Sequence, residues 1–251
     1  MYNKLAFVLA LVTATTTISL ASATNTSLVY SDGYGIKWTG VIIAGEPKAE
    51  LYGTVDEIFE QILAINPSYI AQPLDETDKA RLASPVYKEG DPAKHKLTAR
   101  QQKYHNIPTP TCRVMATGNS RSLDRLISRL EYLGGVCEAP QNACRRVGCW
   151  YTTAGYLCGE NGHAAVVACT DVSRRMEAIK NGCCPLLWDP KGRPISGHIY
   201  HEKYSIWAGY GNCNHGEDRT PSFYTYPGGR INGICTGPTG PPGPYVRFLH
   251  R

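Results

Sequence analysis

Toward its C-terminal end the chain places His198, His201, Glu202 and Tyr204 within seven residues, with Arg193 close upstream. Histidine titrates near neutral pH, and a His/Glu pair beside an arginine can run general acid–base cleavage of a phosphodiester. On a strand, alternation sends His198 and Tyr200 to one side and His201 to the other, so the two histidines converge only across a bulge. A second basic set, Arg121, Arg125 and Arg129, recurs at helical spacing, and Arg174 and Arg175 form a further pair. Such arginines either bind an anionic partner (pectin, phospholipid headgroups, nucleic acid) or form the solvated face of an amphipathic helix. Trp150, Tyr151, Trp207 and Tyr210 offer a third chemistry, stacking on carbohydrate rings, although strand aromatics more often serve the core.

Ten cysteines dominate the rest: Cys112, Cys137, Cys144, Cys149, Cys158, Cys169, Cys183, Cys184, Cys213 and Cys235. The even count predicts five disulfides. No Cys-x-x-Cys, His-x-x-x-His or His-Glu-x-x-His occurs, which argues against a zinc site, and an even count leaves no free catalytic thiol. No metal or other cofactor is expected. Disulfides need an oxidising compartment, and residues 1–23 read as a signal peptide. Lys4 precedes an apolar run from Leu5 to Val12, too short to span a bilayer, and Ala21-Ser22-Ala23 marks cleavage before Thr24. The expectation is a secreted, extracellular protein without a transmembrane segment.

The cysteines and the charge divide the chain at one place. Residues 24–111 contain no cysteine and hold nine Lys and Arg against eleven Asp and Glu; residues 112–251 hold sixteen against ten. The predicted organisation is a leader or pro-domain over 24–71, a linker over 72–111, a cysteine-rich domain over 112–213 and a Pro/Gly-rich tail over 214–251. In the leader, Thr54 and Glu57 form a capping box opening a helix with Ile58, Phe59, Ile62 and Leu63 on one face, ended by Asn66-Pro67. Short strands are expected over 36–43 and 50–52. A leader with one helix and no disulfide buries little core, which suits a folding aid or an acidic mask over a basic body. Asn25-Thr26-Ser27 is a glycosylation sequon, and Gly237 to Pro244 an extended arm.

The body predicts an α+β, disulfide-rich, two-layer sandwich of split β-α-β type, in the order β-α-β-β-α-β. A strand spans 112–116. A helix capped by Asn119 or Ser120 follows, with Leu123, Leu126, Ile127, Leu130 and Leu133 inward, and Gly134-Gly135 ends it. Thr152 to Gly155 is expected as a four-residue loop that sets Cys149 opposite Cys158, Tyr151 opposite Tyr156 and Trp150 opposite Leu157. A second helix opens at Thr170 or Asp171, carries Val172, Met176 and Ile179 inward and closes at Asn181-Gly182. One strand over 199–210 completes the domain.

Cys144, Arg146, Val147, Cys149, Tyr151, Ala154, Cys158 and Asn161 resemble, position by position, the Cys-x-Arg-Val-x-Cys…Cys-x-x-Asn motif of a family of fungal secreted cysteine-rich candidate effectors. The stretch from Leu51 to Ile58 and Asn66-Pro-Ser-Tyr resembles that family's pre-domain, and the stretch from Gly197 to Ala208 its closing strand. The resemblance implies an α/β fold like that of a virally encoded killer toxin of smut fungi, an extracellular host or competitor target, and no catalytic residue. It also implies six core cysteines, Cys112, Cys144, Cys149, Cys158, Cys213 and one of Cys183 or Cys184, the others forming two extra bridges. Gly159-Glu160 stands where the family more often has Asn-Asp. No Lys-Arg pair separates leader from body, so dibasic removal of the leader is not supported.

Overall fold

The computed structural model describes residues 35–82, 107–112, 115–183 and 194–215. The signal peptide, the sequon, residues 83–106 of the expected linker, Arg193, Cys184, Cys235 and the tail beyond His215 lie outside them.

The leader begins with two antiparallel strands, β1 (Ile36–Gly40) and β2 (Ala49–Gly53), with Trp38 opposite Leu51. Helix α1 (Val55–Ile65) starts where the capping box places it. The Thr54 side chain accepts from the Glu57 N–H, and the Glu57 carboxylate accepts from the Thr54 N–H at 2.7 Å. Val55, Ile58 and Ile62 are buried. A short helix α2 (Glu76–Arg81) then appears where a linker was expected. It is polar and lacks an apolar period, but Asp75 caps it by accepting from the Asp78 N–H at 2.8 Å.

The body contributes β3 (Thr111–Cys112), β4 (Gly118–Asn119), α3 (Ser120–Leu133), β5 (Val136–Ala139), β6 (Cys144–Trp150), β7 (Thr153–Gly159), β8 (Ala165–Ala168), α4 (Cys169–Cys183), β9 (Pro194–Ile195), β10 (Gly197–His201) and β11 (Tyr204–Tyr210). The chain is mixed α+β, and among the described residues every strand pair is antiparallel. A five-stranded sheet has the order β3-β10-β11-β7-β6, a four-stranded sheet the order β2-β1-β5-β8, and β4 pairs with β9. Helix α3 lies against β6 and β7, and α4 against β10 and β11. The expected final strand is a hairpin, because Glu202 and Lys203 form a turn.

The leader is not a separate folded unit. Strand β1 pairs on its other side with β5 of the body, in the register Lys37 to Glu138, Trp38 to Cys137 and Thr39 to Val136. Trp38 is fully buried and its Nε1–H donates to the Gly134 carbonyl at 2.9 Å. Gly134 and Gly135 stop α3 in the left-handed region, at φ 58° and 67°, and serve this contact as well. A Cβ on Gly135 would stand 2.6 Å from Trp38 Nε1, and one on Gly134 2.6 Å from the Ala71 Cβ. Ile36, Trp38, Val55, Ile58 and Ile62 share one apolar cluster with Leu123, Leu126, Leu130, Val172 and Met176.

The central hairpin is also rearranged. Its turn is Tyr151-Thr152, with Tyr151 at φ 55°, so Trp150 pairs with Thr153 and Cys149 with Ala154. A register shift between Arg146 and Gly148 leaves Val147 as an extra residue, which brings Cys144, not Cys149, opposite Cys158. Among the described residues four disulfides result: Cys112–Cys183, Cys137–Cys169, Cys144–Cys158 and Cys149–Cys213. Of the vicinal pair, Cys183 is the one bonded to Cys112; Cys184 lies outside the described residues. Cys137 and Cys169 bridge each other and tie β5 to the start of α4.

Candidate functional site

The two histidines stand on opposite faces of the five-stranded sheet, and Glu202 sits exposed in the turn between β10 and β11. These three candidates therefore do not converge. On the helix face, His201 pairs across the strands with Tyr204, their rings stacked 4.7 Å apart at 24°. The Lys203 N–H donates to His201 Nδ1 at 3.3 Å. The Tyr204 hydroxyl donates to Asp171 Oδ2 at 3.1 Å, and Arg175 Nε–H to the same oxygen at 3.0 Å. Asp171 and Arg175 lie one turn apart on α4, so one helical face delivers both to β11. Burial, then the Arg175 charge, holds His201 below the usual histidine range. Asp171, Arg175 and Tyr204 are all buried, so this cluster anchors α4 to the sheet and offers no open acid–base pair.

The outer face carries a different row. His198, Trp207, Tyr156 and Arg146 are successive cross-strand partners over β10, β11, β7 and β6. His198 stacks on Trp207 at 4.2 Å and 19°. The Trp207 Nε1–H donates to Ser205 Oγ at 2.7 Å, and the Ser205 hydroxyl donates to Glu160 Oε1. Arg146, Glu160 and His198 are 4%, 3% and 5% exposed. Burial pushes the His198 pKa down to about 4 and the Glu160 carboxyl above its ordinary range, the Ser205 hydrogen bond opposing the latter. Arg146 Nη1 donates to the carbonyls of Asn212 at 3.2 Å and His215 at 3.0 Å. Arg146 Nε, Glu160 Oε2 and His198 Nδ1 are buried without a hydrogen-bond partner among the described residues. Sequence reasoning missed Arg146 and Glu160 as chemistry; both lie in the cysteine motif, where spacing draws the eye to sulfur. The motif's Asn161, at φ 52°, donates through Nδ2 to the Tyr200 hydroxyl and the Glu202 carbonyl, both at 2.7 Å, and so pins the β10–β11 turn.

The arginines of α3 split by use. Arg121 is exposed in the first turn. The Arg125 guanidinium lies 3.3 Å from the Trp150 ring centroid and 4.0 Å from Asp56 of α1. Arg129 Nε meets the same Asp56 carboxylate at 3.1 Å and covers Phe59 at 4.8 Å. Two of the three thus tie α3 to the leader helix while remaining 41% and 36% exposed. They also line an open groove with Ser128 and Tyr132. Trp150 meets Tyr151 edge to face at 5.4 Å, and Tyr151 is 77% exposed at the hairpin tip. Arg174 is half-buried on α4 and Arg175 buried; Trp207 and Tyr210 are half-buried in β11.

Among the described residues no cluster of three His, Cys, Asp or Glu side chains could hold a metal ion, and no helix is long and apolar enough to cross a membrane. No protein-family model matches the chain, and no curated protein matches it either.

Proposed function

We propose that this is a secreted, disulfide-stapled effector or toxin-like protein that binds an anionic extracellular target of a host or competitor, rather than an enzyme. The observation that carries the reading is the rim of Arg121, Arg125, Trp150 and Tyr151. A guanidinium stacked on an indole is held in place with its charge still presented to solvent. Beside it a large aromatic is largely exposed at a turn whose left-handed backbone no glycine supplies. Asp56 of the acidic leader offsets part of this charge by reaching Arg125 and Arg129, which gives masking a physical route. Four disulfides fit the oxidising space outside the cell. Within the fold we assign the split β-α-β motif to β7, α4 and β10, which β11 separates in the sheet order.

The test is binding of the secreted protein to polygalacturonate, phosphatidylserine vesicles and RNA at low and moderate salt. At least one probe should be retained, with salt-dependent affinity, and Arg121→Glu with Tyr151→Ser should weaken it tenfold or more at unchanged melting temperature. Indifference of all three probes, or equal binding by the double variant, contradicts the reading. A second reading, a nuclease-like enzyme, is favoured by one observation: Arg146, Glu160 and His198 share a sheet face with orphaned polar atoms. RNA digestion abolished by both His198→Ala and Glu160→Gln would establish it over the first.

A further inference from the structure

We infer that the segment 36–81 is a non-covalent ligand of the cysteine-rich body, one that stays bound when the chain between them is cut and exchanges between copies of the protein. All ten cysteines lie at or beyond position 112, so no disulfide can join this segment to the body. It is held instead by the shared apolar cluster, by Asp56 against Arg125 and Arg129, and by a set of contacts at the end of α3 and the strand β5. Leu133 receives the Tyr69 hydroxyl at 2.7 Å, and Gly134 receives the Trp38 indole N–H at 2.9 Å. Val136, Cys137 and Glu138 pair with β1. Glu138 also meets Arg81 at 2.7 Å and Lys37 at 3.9 Å.

The segment itself is pre-organised for this site. It carries its own hairpin, its own capped helix and an internal clamp in which Lys48 reaches Asp75 and Asp78, each at 2.8 Å. Asn66 Nδ2 donates to the Ile42 carbonyl at 2.9 Å, tying the end of α1 back to the strands. Every contact just named is made by residues on one side or the other of 83–106. A chain of that length can span at most on the order of 80 Å, and cutting it tests whether the contacts alone hold the segment in place. The body's half of the interface is an open strand edge plus an apolar bed, and its specificity follows from the pairing. The partner must be an extended strand with an indole opposite Cys137, flanked by a cation opposite Glu138. Strand addition with one buried aromatic anchor is a recurrent mode of segment recognition, and here the chain supplies the strand itself.

The experiment uses the full secreted chain with a site-specific protease sequence inserted between Lys88 and Lys96, first shown to melt like the parent. After complete cutting, the two pieces should run apart on a denaturing gel without reductant and elute as one native species. Incubated with an isotopically heavy nicked sample, they should form mixed heavy–light pairs by native mass spectrometry. Trp38→Ala should release the leader piece from the nicked form at a protein concentration tenfold or more higher than wild type; Arg81→Ala, at an exposed position, should raise that concentration by a smaller factor. Release of the leader piece on cutting, whether the body stays folded or aggregates, overturns the inference. So does failure of the pieces to part in unreduced denaturant, or failure of labelled pieces to mix.

Discussion

Replacing Trp38 is the most informative single change. The indole, carried by the strand β1 that lies between β2 and β5, is completely buried, and its N–H satisfies the Gly134 carbonyl. Truncating a buried tryptophan to alanine costs about 3–5 kcal/mol. The carbonyl left without its donor adds about 1 kcal/mol. Against a typical total stability of roughly 5–15 kcal/mol, Trp38→Ala removes about a quarter or more and lowers the melting temperature by roughly 10–20 °C. Trp38→Phe keeps most of the apolar volume and loses the donor, so it costs about 1–3 kcal/mol. The assay is urea unfolding of the disulfide-intact protein, followed by far-ultraviolet circular dichroism and by tryptophan fluorescence. Both signals should move to lower urea together, because the leader and the body share one core. A cost below about 1 kcal/mol, or a separate early transition with the body's midpoint unchanged, would refute the reasoning.

Three further outcomes follow from the same structure. His198 has a folded-state pKa of about 4 against an ordinary 6.5, so protonation opposes folding. Stability should be full above pH 6.5, decline as pH falls from 6.5 to 4 and then level off. The loss reaches at most about 3 kcal/mol, and His198→Phe should flatten that part of the melting-temperature profile. Glu160 runs the other way: its raised pKa favours the fold only while the carboxyl is protonated, and that stability is lost as pH rises through the folded value. Glu160→Gln, which keeps the acceptor for Ser205, should therefore melt higher than wild type at pH 7 and equal to it below about pH 4; a lower melting point at pH 7 would contradict this. Among the disulfides, Cys112–Cys183 closes a separation of 71 residues and Cys144–Cys158 one of 14. Loop-closure entropy assigns them about 4.4 and about 3 kcal/mol, so the paired alanine replacement of the first should lower the urea midpoint more than that of the second.

Local signals were legible and long-range ones were not. Thr54 and Glu57 specify the start of α1 within four residues, and the leucines of α3 keep their period through Leu133, so both helices stand where the pattern puts them. The hairpin around the cysteine motif was visible, but its register depended on a tyrosine accepting the left-handed backbone at 151 and on Val147 bulging. Neither event has a composition cue, and each moves the partner of every cysteine in the strand. Strands β5 and β8 are four residues each, too short to show alternation. The pairing of Trp38 with Cys137 spans the boundary that cysteine content and charge both draw. That boundary is real as chemistry, since it separates the covalently stapled part from the part held by packing alone. It is not a boundary of the fold. At the outer sheet face, His198 was conspicuous, whereas Arg146 and Glu160 became polar-site candidates only once cross-strand pairing aligned them.

That the leader belongs to the body's cooperative fold is tested most directly by amide hydrogen exchange read by mass spectrometry on the unreduced, intact chain. Peptides covering 36–53 should show protection equal to peptides covering 136–139 and 165–168, and should lose it together as urea is added. Rapid exchange across 36–53 while β5 and β8 stay protected would contradict the account.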